Sequence, residues 1–145
     1  MPINMQQVIF EDIAQRLAAI PDWGALVEED NVLHLIDSDD QTLPDRFIII
    51  QPGITEELER AGQGSVRERW TLTITPITRM RGAASQLRAA RLAIKQALAG
   101  VNAGIKINGV QTVAFQPETP MLADAGRRWS VQAMPLQITY IQPLK

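Results

Sequence analysis

The sequence has no cysteine, a single histidine and few aromatic residues, and each shortage excludes a kind of chemistry. Without cysteine there can be no disulfide, no thiolate metal site and no cysteine nucleophile. The lone His34 excludes metal sites built from several imidazoles. There is no apolar run near the roughly 20 residues of a membrane-spanning helix, and the opening residues lack the pattern of a secretory signal. We therefore expect no metal, no cofactor and no membrane partner.

Charge is separated along the chain. Residues 1–68 carry 14 of the 16 acidic side chains and 4 of the 14 basic ones, whereas residues 69–145 carry 10 basic side chains against Glu118 and Asp124. Such a separation predicts charged partner surfaces, either nucleic acid or a second copy of the chain presenting the opposite charge. The alternative is that the two halves interleave in the fold and cancel.

The composition is that of a globular protein, with 145 residues, 46% hydrophobic and 21% charged side chains. This length suits one domain spanning residues 1–145. Two segments have the apolar spacing of amphipathic helices, 5–20 and 83–99. Asn4 is placed to cap the first helix and Pro21 to end it. These signals predict two main helices.

Several segments have the residue types or the alternation of β-strands. The clearest lies where Trp70, Leu72 and Ile74 alternate with threonines, and Pro76 is expected to place this strand at an end or an edge of the sheet. A phase change at Met134 and the following proline predicts a β-bulge. The predicted strands are 32–36, 47–50, 70–75, 110–115 and 129–141, with Pro52-Gly53 stopping the second and long loops at 53–67 and 116–128.

The order of these elements predicts an α+β fold. Hairpin-type spacing on both sides of the second helix favours a mostly antiparallel sheet of four to five strands, with the two main helices packed on one face. A doubly wound parallel sheet would need a helix between most of its strands, and the sequence predicts two helices.

The sequence contains no catalytic motif. The acidic turn at 37–40 does not continue as a calcium loop, because Thr42 and Ile48 stand where that loop needs glycine and glutamate. The glycines at 62–64 precede a strand rather than a helix, so they do not form a dinucleotide site. His34 is expected to be a structural or surface residue of its strand. We expect a protein that is not an enzyme and has no catalytic residues.

A basic stripe runs along the second helix. Arg81, Arg88 and Lys95 recur every seven residues, and Arg91 lies within the same arc. Three interpretations are open: a solvated helix face, a phosphate contact, or a contact with an acidic face of a neighbouring subunit. No aromatic residues accompany the stripe, which argues against stacking on single-stranded bases.

The order and texture of the chain resemble the tail terminator (tail completion) proteins of tailed bacteriophages, the group that includes the lambda-type minor tail protein U. The resemblance covers nearly the whole chain. It rests on five segments: the helix 5–20, the strand 43–50 with its proline near the start, the strand 70–76 that begins with Trp70, the helix 83–99 and the closing strand at 137–140.

This resemblance implies a virion protein at the head-proximal end of the tail, assembled in the host cytoplasm. Family members form hexameric rings that stop tube polymerisation and offer a surface for head joining. The implied partners are other copies of the chain, the tail tube protein, a head-side connector or neck protein, and the sheath protein if the tail is contractile. DNA would be passing cargo. The loops 53–67 and 116–128 are candidates for these contacts.

In a ring, one patch of each subunit meets a different patch of the next. We expect Arg81, Arg88, Arg91 and Lys95 of one subunit to face carboxylates of another subunit or of a tube protein, drawn from Glu28, Glu29, Asp37, Asp39 and Asp40. Three alternatives remain: a neck or head-completion protein, a nucleic-acid-binding α+β module using the helix 83–99, and a small-molecule-binding domain or enzyme subunit.

Overall fold

The computed structural model describes residues 2–37, 41–124 and 127–145. Their elements, in chain order, are α1 (Met5–Ala18), β1 (Val27–Glu29), α2 (Val32–Asp37), β2 (Arg46–Ala61), β3 (Ser65–Thr78), α3 (Ala83–Ala97), a 3-10 turn (Val101–Gly104), β4 (Val110–Phe115), β5 (Thr119–Met121) and β6 (Ser130–Pro143). No helix in these ranges is long and apolar enough to cross a membrane.

The strands of the described ranges form one six-stranded sheet. The order across the sheet is β1, β2, β3, β6 and β4, and β5 pairs with β6 on the same side as β4. β1 runs parallel to β2, and the other pairs are antiparallel. The predicted α+β class with a mostly antiparallel sheet is confirmed.

The two main helices pack on one face of this sheet, as the sequence predicts. Ile13 of α1 and Ile94 of α3 are fully buried in the same cluster as Leu72 of β3 and Leu136 of β6. Asn4 caps α1, because its side chain accepts a hydrogen bond from the backbone N–H of Gln7 at 3.2 Å. This face holds the larger of the two apolar cores.

A buried tyrosine ties the start of α1 to the sheet. The Tyr140 hydroxyl donates to Glu68 at 2.9 Å and accepts from the Gln6 side chain at 2.8 Å. Burial raises the pKa of the Tyr140 phenol; Gln6 opposes this and Glu68 adds to it, and the pKa stays well above its usual value. The hydroxyl therefore remains a donor at neutral pH.

The segment 32–36 is a helix, and its prediction as a strand is wrong. Val32 and Ile36 are the buried residues of α2, one helical turn apart, and Asn31 caps the helix by accepting from the His34 backbone N–H at 3.1 Å. They pack on the second face of the sheet with Phe47 and Trp129, whose rings meet edge to face. Tertiary packing therefore overrides the strand propensity of the β-branched residues. His34 is exposed on this helix.

The predicted loop at 53–67 is also wrong, because β2 runs to Ala61 and β3 begins at Ser65, leaving a tight turn. Pro52 does not stop β2. Beyond Ile50 the outer side of β2 pairs with no strand of the described chain, and proline is tolerated on such an edge. The pairing with β3 absorbs irregularities at two register shifts. The other predicted loop, 116–128, contains the short strand β5.

Two predictions made at prolines, an edge position at Pro76 and a β-bulge beside Met134, are also wrong. β3 is a central strand that runs past Pro76, although its ladder with β6 skips Thr75 and Pro76. β6 has no bulge against β3 at Met134, since the register is constant there. The phase change has another cause: Val131 is buried on the α2 face, whereas Leu136 is buried on the face of α1 and α3.

Candidate assembly surface

Helix α3 presents the basic stripe to the outside because its apolar residues face the sheet. Leu87, Ala90 and Ile94 are buried, which leaves Arg88 and Arg91 exposed on the other side of the helix. Of the residues with seven-residue spacing, Arg88 and Lys95 lie on α3, whereas Arg81 precedes it, before the left-handed Gly82. The structure divides the stripe into two parts with different surroundings.

The lower part of the stripe, Arg91 and Lys95, is paired with a carboxylate of the same chain. Glu118, between β4 and β5, accepts from Arg91 through one carboxylate oxygen and lies 2.9 Å from the Lys95 ammonium through the other. The Lys95 nitrogen also sits 4.2 Å from the centroid of the Phe115 ring. The Glu118 side chain is 12% exposed. This clamp joins α3 to the segment that leads into β5.

The clamp favours the charged form of the carboxyl group. Partial burial by itself raises the pKa of Glu118, but hydrogen bonds from Lys95 and Arg91, together with their charges, outweigh it and hold the pKa below its usual value. A carboxylate with a lowered pKa stabilises the fold above the pKa of the unfolded chain, and that contribution is lost as pH falls through the folded-state pKa.

We expect Glu118→Gln to lower the free energy of unfolding at pH 7 by about 1 kcal/mol, a modest figure because Arg91 is nearly half exposed. The difference from the wild type should begin to shrink as the pH falls below the unfolded-state pKa of about 4.3, and vanish only below the lower folded-state pKa, where the wild-type carboxyl is also protonated. Urea denaturation across pH 3–7 measures both. Glu57→Gln is the matched control, because Glu57 pairs with Arg60 in an exposed contact; an equal loss there would contradict the clamp.

The upper part of the stripe lines an open groove. The groove has a volume of about 620 Å³ and runs between the start of α3 and the chain before β6. We call it the arginine groove and define it by Met80, Arg81, Arg88, Leu122 and Arg128. Within the described ranges, Arg81 and Arg88 are exposed and form no ion pair. No acidic residue is found among the described residues lining it.

Another arginine lines this groove without being free to bind a partner. Arg79 lines it too, but its guanidinium is engaged, 2.7 Å from the Asp45 carboxylate and 5.0 Å from the centroid of the Trp129 ring. Arg79 also donates to the Leu43 carbonyl. Its charge is therefore already paired, and Arg79 stabilises the edge of the smaller apolar core, which contains Trp129.

The predicted acidic partners lie elsewhere. Glu28 and Glu29 are exposed on β1, at the far edge of the sheet from β4 and β5. Asp37 is exposed at the end of α2. Asp39 and Asp40 lie outside the described residues. Among the described residues, no ion pair joins these acids to α3, so the predicted contact between subunits stays a prediction.

Sequence reasoning missed the role of Glu118. A signal was present, because Glu118 is one of two acids in the basic half of the chain. The apolar part of the groove carried no such signal, because Met80 and Leu122 are distant in sequence and fit no periodic pattern. Their exposure, 38% and 54%, appears only once the chain is folded. In the described ranges no group of acidic or histidine side chains is placed to hold a metal ion.

The fold has a counterpart among solved structures. A chain in the virion of a native gene transfer agent (GTA) particle superposes with a TM-score of 0.60 at 16% sequence identity, covering 89% of this chain and 91% of the other. At this identity the likeness shows a common fold. The sequence matches no protein-family model, and no curated protein is similar to it in sequence. The chain is thus an α+β domain whose architecture also occurs in a virion protein.

Proposed function

We propose that the protein is a structural component of a phage-like virion and, within such a particle, a tail terminator. It would form a ring that caps the tail tube, ends tube polymerisation and provides the surface for head joining. The observation that supports this most strongly is the fold shared over most of both chains with a chain of a GTA virion. The order of the helices and strands and their residue patterns resemble those of tail terminators, which favours this role among virion proteins.

The distribution of charge supports a ring. The exposed glutamates of β1 lie at one edge of the sheet, and the basic surface of α3 is tied through Glu118 to the segment beside the other edge. Oppositely charged patches on different sides of one subunit suit heterologous contacts, which close into rings when the rotation allows it. The protein would act through these surfaces and not as an enzyme.

The expected partners follow from this position. Copies of the chain would contact each other around the ring, with six as the expected number, and the tube protein and a head-side connector or neck protein would contact its two ends. A sheath protein would join them if the tail is contractile, and DNA would pass through as cargo. The place in the particle would be the head-proximal end of the tail.

Particles assembled without the protein test the proposal. We expect tails longer than those of the wild type and lacking heads, because nothing would stop tube growth, and restoration of normal length when the wild-type gene is supplied. Negative-stain electron microscopy with measured tail lengths is the readout. Tails of normal length without heads would indicate a neck protein instead. Normal tails joined to heads would contradict a role in either place.

A further inference from the structure

The arginine groove combines two exposed features. Arg81 and Arg88 carry charges that no described residue balances, and the partly exposed apolar side chains of Met80 and Leu122 line the same groove. Arginine and methionine are enriched where proteins bind each other. Apolar contact supplies affinity in such a site and the charged rim supplies specificity. The groove therefore suits an acidic segment that carries an apolar side chain.

One segment of this chain has that chemistry. Glu28, Glu29 and Asp30 are three successive acids, and no described residue forms an ion pair with them. Leu33 follows on the first turn of α2 with 54% of its surface exposed. We call these four residues the acidic segment. It offers negative charge next to an unburied leucine, the complement of the groove.

The glutamates of β1 do not meet the groove within one copy of the chain, although Ile36 of α2 and Leu122 line one small pocket there. β1, which carries the glutamates, is separated by β2 and β3 from β6, beside which the groove lies. Three strand spacings amount to about 14 Å of sheet. The groove of one copy can therefore bind the complementary segment of a neighbouring copy. In such a pair, one copy keeps a free groove and the other keeps a free segment, and both can bind further copies.

We propose that the arginine groove of one copy binds the acidic segment of a second copy, with Leu33 packed against Met80 and Leu122 and the carboxylates facing Arg81 and Arg88. This contact specifies which surfaces meet in the ring of the proposed function. It rests on that proposed function for the arrangement of the copies. It also relocates the predicted interface, because Arg91 and Lys95 are already paired with Glu118.

The test uses variants that leave the Glu118 clamp intact. Reversing Arg91 would place a negative charge beside Glu118 and confuse loss of assembly with loss of stability. We therefore choose the double variant Arg81→Glu/Arg88→Glu, with Lys106→Glu/Lys145→Glu as a control that makes the same change in net charge at exposed sites off the groove. Sedimentation of the full chain at low salt should show self-association weakened roughly 100-fold in the first and unchanged in the control.

A second variant makes the test specific. Glu28→Lys/Glu29→Lys should also fail to associate alone, because its groove and its acidic segment are both positive. Mixed with Arg81→Glu/Arg88→Glu, it should associate again, since each variant then offers the charge that the other lacks. Restored association in the mixture supports the contact. Weak association in the mixture as well as in each variant alone, or a wild type that stays monomeric at its highest soluble concentration, overturns it.

A photo-crosslinker at Met80, which lines the groove and not the pocket beside α2, identifies the bound segment in the full chain. We expect mass spectrometry to recover residues 28–33 of a second copy, and recovery of another segment would overturn the proposal. Salt-dependent binding of duplex DNA that Arg81→Glu/Arg88→Glu abolishes, without self-association, would assign the groove to nucleic acid instead. Tail lengths in particles test the terminator function separately. Failure of the proposed contact and failure of the terminator function can therefore be distinguished.

Discussion

Ile94→Ala is expected to lower the free energy of unfolding by about 2–5 kcal/mol. Ile94 is fully buried in the larger core, on the face of α3 that rests on the sheet. Truncation removes apolar contacts and leaves a cavity that the rigid sheet beneath cannot close. Because the same helix carries Arg88, the variant should also loosen the arginine groove.

Leu92→Ala is the control on the same helix, since Leu92 is 55% exposed and its loss should change stability by no more than about 0.5 kcal/mol. Urea denaturation monitored by tryptophan fluorescence gives both values. Alanine is the best helix former, so a similar loss in the two variants could not come from helix propensity and would contradict the assigned burial of α3.

Gly24→Ala is expected to destabilise the protein by about 1–3 kcal/mol. A Cβ at position 24 would lie 2.4 Å from the carbonyl oxygen of Ala18 and 2.7 Å from that of Ile20. Both are backbone atoms at the end of α1, so relief requires the chain to move and not just a side chain. The tight connection from α1 towards β1 depends on this close approach.

Gly64→Ala provides the comparison. No described atom lies within 4 Å of a Cβ at Gly64, and this residue does not have a positive φ. Alanine there should leave stability unchanged or raise it by up to about 1 kcal/mol, through the lower entropy of the unfolded chain. Thermal denaturation of the two variants distinguishes them. Equal melting temperatures would mean that the end of α1 relaxes freely.

Much of the fold could be predicted from local sequence patterns. The predicted bounds of both main helices agree with α1 and α3 to within two residues, and the predicted strands at 70–75 and 110–115 lie within β3 and β4. Apolar periodicity records which side of an element meets the core, so it predicts the element and its buried face together. The shared packing of α1 and α3 on one face followed from the order of elements.

The errors share a cause, since each concerns a segment whose structure depends on a distant partner. Residues 32–36 have the composition of a strand but form a helix, because Phe47 and Trp129 bury one side of it. Glycine and proline near residue 53 predict a loop, yet the pairing with β3 continues the strand. Such long-range contacts stabilise a conformation that local propensity disfavours.

For the candidate site, the sequence by itself determined the separation of charge and the spacing of the basic residues on α3, because both are properties of the order of residues. Tertiary structure alone decided which charges are satisfied. Glu118 pairs with Arg91 and Lys95 only after β4 and β5 bring it beside α3. The same folding places Leu122 next to Arg81 and Arg88. Electrostatic and apolar contacts act over a few ångströms, and distance in space is set by the packed sheet rather than by distance along the chain.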